Sequence, residues 1–246
     1  MIEFLHKICI LDFIFSSSGP TISKEISLKG VGLHTGKDVT LTFKPAEINN
    51  GFAFQRIDLE GNPIIEADVN YVTNTQRGTC LEKNGVTIQT CEHVLAALVG
   101  LDIDNVIIAL DESEPPIMDG SSKFFVEALE KAEIVEQEAQ REVYVVKDVI
   151  SYYEEESGSE ITIIPSEEYQ VTTMVDFGTK VLGTQNATLS TISDFKNEIF
   201  CPCDSIDFVI KGRNWRSLLR ISISLALWSI RVLWYRRNTL IWLISR

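Results

Sequence analysis

Glu92 and His93 stand side by side near the head of the segment TCEHVLAALVG (residues 90–100), in a chain whose only histidines are His6, His34 and His93. A neutral imidazole is a good Zn2+ ligand, and a carboxylate beside the metal can take a proton from a bound water. At the start of a helix the two could face a cleft together. Taken alone the pair is a weak signal, because a glutamate–histidine step on a helix is more often structural or exposed. A catalytic zinc uses three protein ligands and an open position, and no histidine follows His93. Cys201 and Cys203, in CPCD, are a conceivable substitute pair, but their spacing is not a recognised zinc signature.

The elements around this pair read as follows. Partial alternation in TISKEISL, VTLTFKP, GFAFQRI and PIIEADV, broken by Gly, Pro and Asn, predicts short strands from Thr21 onward. RGTCLEKNGVTIQT predicts a hairpin, with Asn84-Gly85 supplying the two positive-φ positions of a tight turn. Thr90 is placed to cap a helix from about Cys91 to Val99, with Gly100 at its stop. DNVIIAL predicts a buried strand. In IMDGSSKFFVEALEKAEI, Ser121 or Ser122 would cap a second helix that puts Phe124, Phe125, Ala128 and Leu129 on one face. Asp119 reads as a cap or turn acceptor. A second block of strands, EVYVVKDVISYYEE, SEITIIP and EYQVTTMVDF, follows without a helix of its own. Strands first and helices later is the α+β pattern. The second block reads as a three-stranded remnant with a bare apolar face.

Charge divides the chain. The net charge of −13 argues against a nucleic-acid footprint. Residues 208–246 nevertheless carry eight basic residues, no acid and all four tryptophans (215, 228, 234 and 242). Arg231 interrupts the best apolar run there, so a membrane span is not predicted. A basic, Trp-rich helix at a membrane surface is one reading of this tail, and out-of-frame translation is the favoured one. Residues 1–20 resemble a signal peptide, but Glu3 and Asp12 break the pattern, which leaves an atypical N-terminal extension as the better reading. Five unevenly spaced cysteines with no CxxC pair suggest reduced thiols and a cytoplasmic protein.

Four segments in fixed order, SLKGVGLHTGKDVTLTFKPA (27–46), NTQRGTCL (74–81), TCEHVLAALVGLDIDNVII (90–108) and PPIMDGSSKFFVEAL (115–129), change the weight of the pair. Over about residues 21–200 the chain resembles the UDP-3-O-acyl-N-acetylglucosamine deacetylases, zinc enzymes of lipid A biosynthesis in Gram-negative bacteria. The NTQRGT segment resembles the form fused to a 3-hydroxyacyl-ACP dehydratase. The resemblance implies two α/β sandwich domains of related topology with zinc at their interface. Here that means a first domain at 21–138, an incomplete second domain at 142–200 and a non-family tail at 201–246. It implies His93 as a zinc ligand, Glu92 as general base on the zinc-bound water, and Gln76, Arg77 and Gly78 as substrate-lining residues. His34 would lie near the site without being a standard ligand. In the family, a histidine and an aspartate four residues apart complete the zinc site, and a further histidine assists. This sequence has neither, so the resemblance implies the family's substrate, UDP-3-O-acyl-N-acetylglucosamine, and its Zn2+ cofactor, but an activity lost in this chain. Oligomeric state is not implied.

Overall fold

The strand Asp38–Pro45 shows how the alternation becomes structure. Val39, Leu41 and Phe43 point into a core and are buried, while the residues between them stay partly open. The computed structural model describes residues 11–16, 19–75, 78–139, 141–146, 148–155, 158–167, 169–178, 180, 183–198, 209–210, 213–214 and 239–245. They divide into two compact units, one from residues 17–141 and one from residues 1–16 and 142–246. The architecture is α+β, with a sheet-and-helix sandwich in the first unit.

In the first unit the sheet strands in chain order are Ile26–Val31, Asp38–Pro45, Phe52–Arg56, Ile64–Glu66 and Val106–Leu110. The last inserts at the centre, antiparallel to Asp38–Pro45 and parallel to Phe52–Arg56. A central strand has no solvent face for its ladder, and Val106, Ile108, Ala109 and Leu110 are accordingly buried. The helices Glu92–Gly100 and Lys123–Lys131 complete the core. Residues 92–99 are buried throughout, which suits a helix that is apolar on nearly every face. The second helix is amphipathic and buries Phe125, Val126, Ala128 and Leu129, so Val126 takes the place expected for Phe124. Phe125 meets Phe43 edge-on at 6.4 Å between ring centres. The predicted hairpin joins Cys80–Lys83 to Val86–Ile88, with Asn84 at φ 52° and Gly85 at φ 77°.

The second unit repeats the sheet order. Its strands Ile150–Glu154, Ser159–Pro165, Gln170–Asp176 and Thr184–Leu189 are followed by Thr239–Ser245. That last strand inserts at the centre, antiparallel to Ser159–Pro165 and parallel to Gln170–Asp176. The expected three-stranded remnant is therefore corrected to a sheet of five, because TLIWLIS in the tail has the β-branched and aromatic content that a central strand needs. Leu11–Ser16, in the expected extension, pairs with Arg141–Val146, and Thr21–Ile22 pairs with Ile134–Val135. Among the described residues no helix is long and apolar enough to cross a membrane. The surface-helix reading of the tail rests largely on residues 215–238, outside the described ones.

A central strand tests itself by its ladder. Ile241 lies opposite Ile163 on one side and Val171 on the other. Ile241→Pro removes a donor and forces φ, and should destabilise the second unit by about 3 kcal/mol in urea denaturation followed by far-UV circular dichroism. An unchanged denaturation curve would mean that the tail does not hold this place.

Candidate active site

The helix that carries the pair starts one residue later than its sequence suggests. Glu92 is its first residue and Cys91 its cap, and Cys91 makes no side-chain capping bond. Thr90 is not the cap. It sits at φ 52°, a left-handed conformation that a β-branched residue adopts only under constraint. Its hydroxyl is directed away from the helix and donates to Glu114 Oε1 at 2.8 Å. At the other end, Gly100 is still helical and Leu101 is the cap.

Glu92 and His93 are both buried, at 3% and 4% exposure. The backbone N–H of Thr79 donates to Glu92 Oε2 at 2.9 Å and fixes the carboxylate against the hairpin. The backbone reaches that close because residue 78 is glycine. A Cβ there would lie 3.2 Å from Thr90 Oγ1 and 3.3 Å from Glu92 Oε1. Burial pushes the His93 imidazole below its ordinary pKa, opposed by the nearby charges of Glu92 and Asp119. The neutral ring that results has a nitrogen lone pair to offer. Ser122 Oγ donates to the His93 carbonyl at 2.9 Å, which ties the two helices together at the pair. Asp119 is a turn acceptor as expected, taking the Ser121 N–H at 3.0 Å and its hydroxyl at 2.7 Å.

Glu114, in DESEPP, belongs to no motif, and the sequence assigns it no role. It is fully buried. Besides Thr90 it accepts the N–H of Thr35 at 2.9 Å and of His34 at 3.0 Å, both at Oε2. Gly32 makes room, since a Cβ there would lie 2.7 Å from Glu114 Oε2. The neighbouring acids grip the same hairpin end: Asp111 accepts from Thr40 N–H at 2.6 Å and Glu112 pairs with Lys37 at 2.9 Å. Burial alone would raise the Glu114 pKa. The backbone N–H of Thr35, the hydroxyls of Thr90 and Thr35, and the N–H of His34 reverse that and hold it below the usual range.

Of the residues singled out in the sequence, the structure brings Gly78, Thr90, Glu92 and His93 together. Gln76, Arg77, His6, Cys201 and Cys203 lie outside the described residues. His34 is exposed on the clamped turn. Cys91 is fully buried, and burial, followed by the charge of Glu92, pushes its thiol well up. Its thiol donates to the Thr79 carbonyl, as suits a small core residue. Among the described residues no group of three or more His, Cys, Asp or Glu side chains could hold a metal ion. The donor set of one imidazole with a flanking carboxylate does not by itself fit a catalytic zinc.

The family model described as UDP-3-O-acyl N-acetylglycosamine deacetylase matches residues 20–208. The bifunctional enzyme LpxC/FabZ of Bacteroides thetaiotaomicron is 43% identical over 179 residues, covering 73% of this chain and 39% of its own length. The UDP-3-O-acyl-N-acetylglucosamine deacetylase of Thermosynechococcus vestitus is 38% identical, covering 70% of this chain and 63% of its own. That of Myxococcus xanthus is 39% identical, covering 73% and 57%. The chain thus spans less than two thirds of the length of these relatives.

The Glu114 clamp has a pH signature. A carboxyl whose folded pKa is depressed contributes stability above its unfolded value, about 4.3, and loses it as pH falls through the folded value. Glu114→Gln removes that contribution at neutral pH and cannot lose it again in acid. Urea denaturation from about pH 6 to about pH 3 should show the variant less stable at the upper end and the gap narrowing downward. A gap independent of pH would mean that Glu114 is not charged in the folded chain.

Proposed function

The chain belongs to the family of UDP-3-O-acyl N-acetylglycosamine deacetylases, and from that premise we propose that it holds one half of a zinc deacetylase site and does not turn over alone. The family match over residues 20–208 supports the chemistry, and the buried, hydrogen-bonded Glu92–His93 pair supports its location. Glu92 is the general base: an acceptor-only group whose second oxygen is fixed by the Thr79 N–H can take a proton from a water on its other side. His93 would hold the zinc, its imidazole favoured in the neutral form by burial. By family resemblance Gln76, Arg77 and Gly78 would contact the substrate. The substrate class is a UDP-linked, 3-O-acylated N-acetylglucosamine of lipid A biosynthesis, the bond broken is the acetamide C–N, and the setting is the cytoplasm of a Gram-negative bacterium.

The single observation behind loss of turnover is that no histidine follows His93. One imidazole supplies too little coordination energy for tight binding, since affinity depends on ligand count. Purified full chain, loaded with zinc and dialysed, should retain well under one zinc per chain and release no acetate from the UDP-sugar. One tightly held zinc, with turnover that Glu92→Ala lowers about 10²–10⁴-fold, would overturn the half-site reading.

The tail that follows the family match is out-of-frame sequence on this reading. It explains in one step the loss of every acid after residue 207 and the gathering of all the tryptophans. Translation of the downstream DNA in one of the other two frames should restore acidic sequence with a His-x-x-x-Asp and a later histidine. If neither frame does so, the tail is genuine sequence.

A further inference from the structure

The segment 111–117 runs between two bodies, and its bonds go to both. Toward the turn 32–36 it sends Glu114, which takes the N–H groups of His34 and Thr35, while Ile117 N–H donates to the Val31 carbonyl at 3.0 Å. Toward the helix start, Glu114 accepts the Thr90 hydroxyl, and Ser113 accepts the Gln89 N–H at 2.9 Å. Thr90 is the residue at which the chain turns left-handed. Immediately after it, the Cys91 N–H donates to the Thr79 carbonyl at 3.4 Å, and Glu92 accepts from the Thr79 N–H. A β-branched residue at positive φ stays there only when its surroundings over-determine it. The Thr90 hydroxyl is bonded to the buried Glu114.

We propose that Glu114 is a positioning residue for Glu92 and His93: it holds Thr90 in its strained conformation and so sets the direction in which the helix start presents the pair. The proposal rests on the reading that Glu92 and His93 do the chemistry, but its test does not use activity, so the two can fail separately. Glu114 itself touches neither Glu92 nor His93 among the hydrogen bonds described, so its hold on the pair runs through Thr90.

The test is amide hydrogen exchange on the full chain at neutral pH. Thr79, Cys91 and Leu95 report on the helix start, since Leu95 N–H makes its first helical bond to the Cys91 carbonyl. His34 and Thr35 report on the turn. Thr90→Val deletes the hydroxyl and keeps the strain, and Thr90→Gly deletes both. Thr90→Val should accelerate exchange at Thr79, Cys91 and Leu95 by about tenfold or more, while Thr90→Gly stays within about threefold of the parent. Glu114→Ala should accelerate both groups of amides, but only His34 and Thr35 when made in the Thr90→Gly background. If Glu114→Ala does not fold, the Thr90→Val and Thr90→Gly pair decides alone. Equal exchange in those two variants, or acceleration by Glu114→Ala at Thr79 and Leu95 regardless of residue 90, overturns the proposal.

Discussion

A buried carboxylate with no cation among its hydrogen-bond partners in the described residues must be satisfied there by dipoles, and Glu114 is such a group. An uncompensated ionised carboxyl in a protein interior shifts toward its neutral form. Here the backbone N–H groups of Thr35 and His34 and the hydroxyls of Thr90 and Thr35 converge on the carboxylate, so the charged form is the stable one. The consequences extend along the chain. Glycine at 32 leaves room for the clamp, since a Cβ there would run into Thr35 Oγ1 and lie 2.7 Å from Glu114 Oε2. Thr90 is held left-handed, at a strain of about 1–3 kcal/mol that the clamp must offset. Gly78 is required in turn, because the hairpin backbone closes onto Thr90 and Glu92.

The two sheets solve a common topological problem. In each, the strand latest in the chain enters the centre, antiparallel to the second strand and parallel to the third. A parallel neighbour cannot be joined by a tight turn, so a long connection must precede the central strand. In the first unit that connection is residues 67–105, and it carries the hairpin, Glu92 and His93. In the second unit residues 190–238 take the same place in the order, and they contain no histidine. The absence thus falls on the segment whose counterpart bears the chemical pair.

Much of the first unit was legible because its signals are local. Asn84-Gly85 fixed the hairpin, and the unbroken apolar run in DNVIIAL marked the buried strand. The alternation in VTLTFKP marked its neighbour. What could not be read was the use of polar side chains over long sequence distances. Thr90 stands where a cap would stand, yet its hydroxyl goes to a residue 24 positions away. Nothing in its residue type sets Glu114 apart from Asp111 and Glu112 in DESEPP, and only the fold shows that a turn 80 residues earlier closes over it. Thr79, whose N–H holds Glu92, acts through its backbone and leaves no trace in residue type. The second sheet was misjudged because the tail was read by composition and charge, whereas strand pairing depends on short-range β-branched and aromatic content.

That last mismatch exposes a difference between the requirements of a sheet and those of a site. A central strand is recognised mainly by its backbone: any segment of about seven residues with apolar, β-branched side chains and no proline can complete the ladder. TLIWLIS meets that requirement whatever its origin, and it pairs along Ser159–Pro165 and Gln170–Asp176 through backbone groups that every residue but proline can supply. A metal site is recognised by particular atoms at particular positions, and no apolar side chain substitutes for an imidazole. A chain can therefore keep a closed sheet through a change of sequence that removes the chemistry altogether. On the half-site reading, the second unit is such a case: its central strand is in place, while residues 190–238, which stand in the order where the first unit carries Glu92 and His93, contain no histidine.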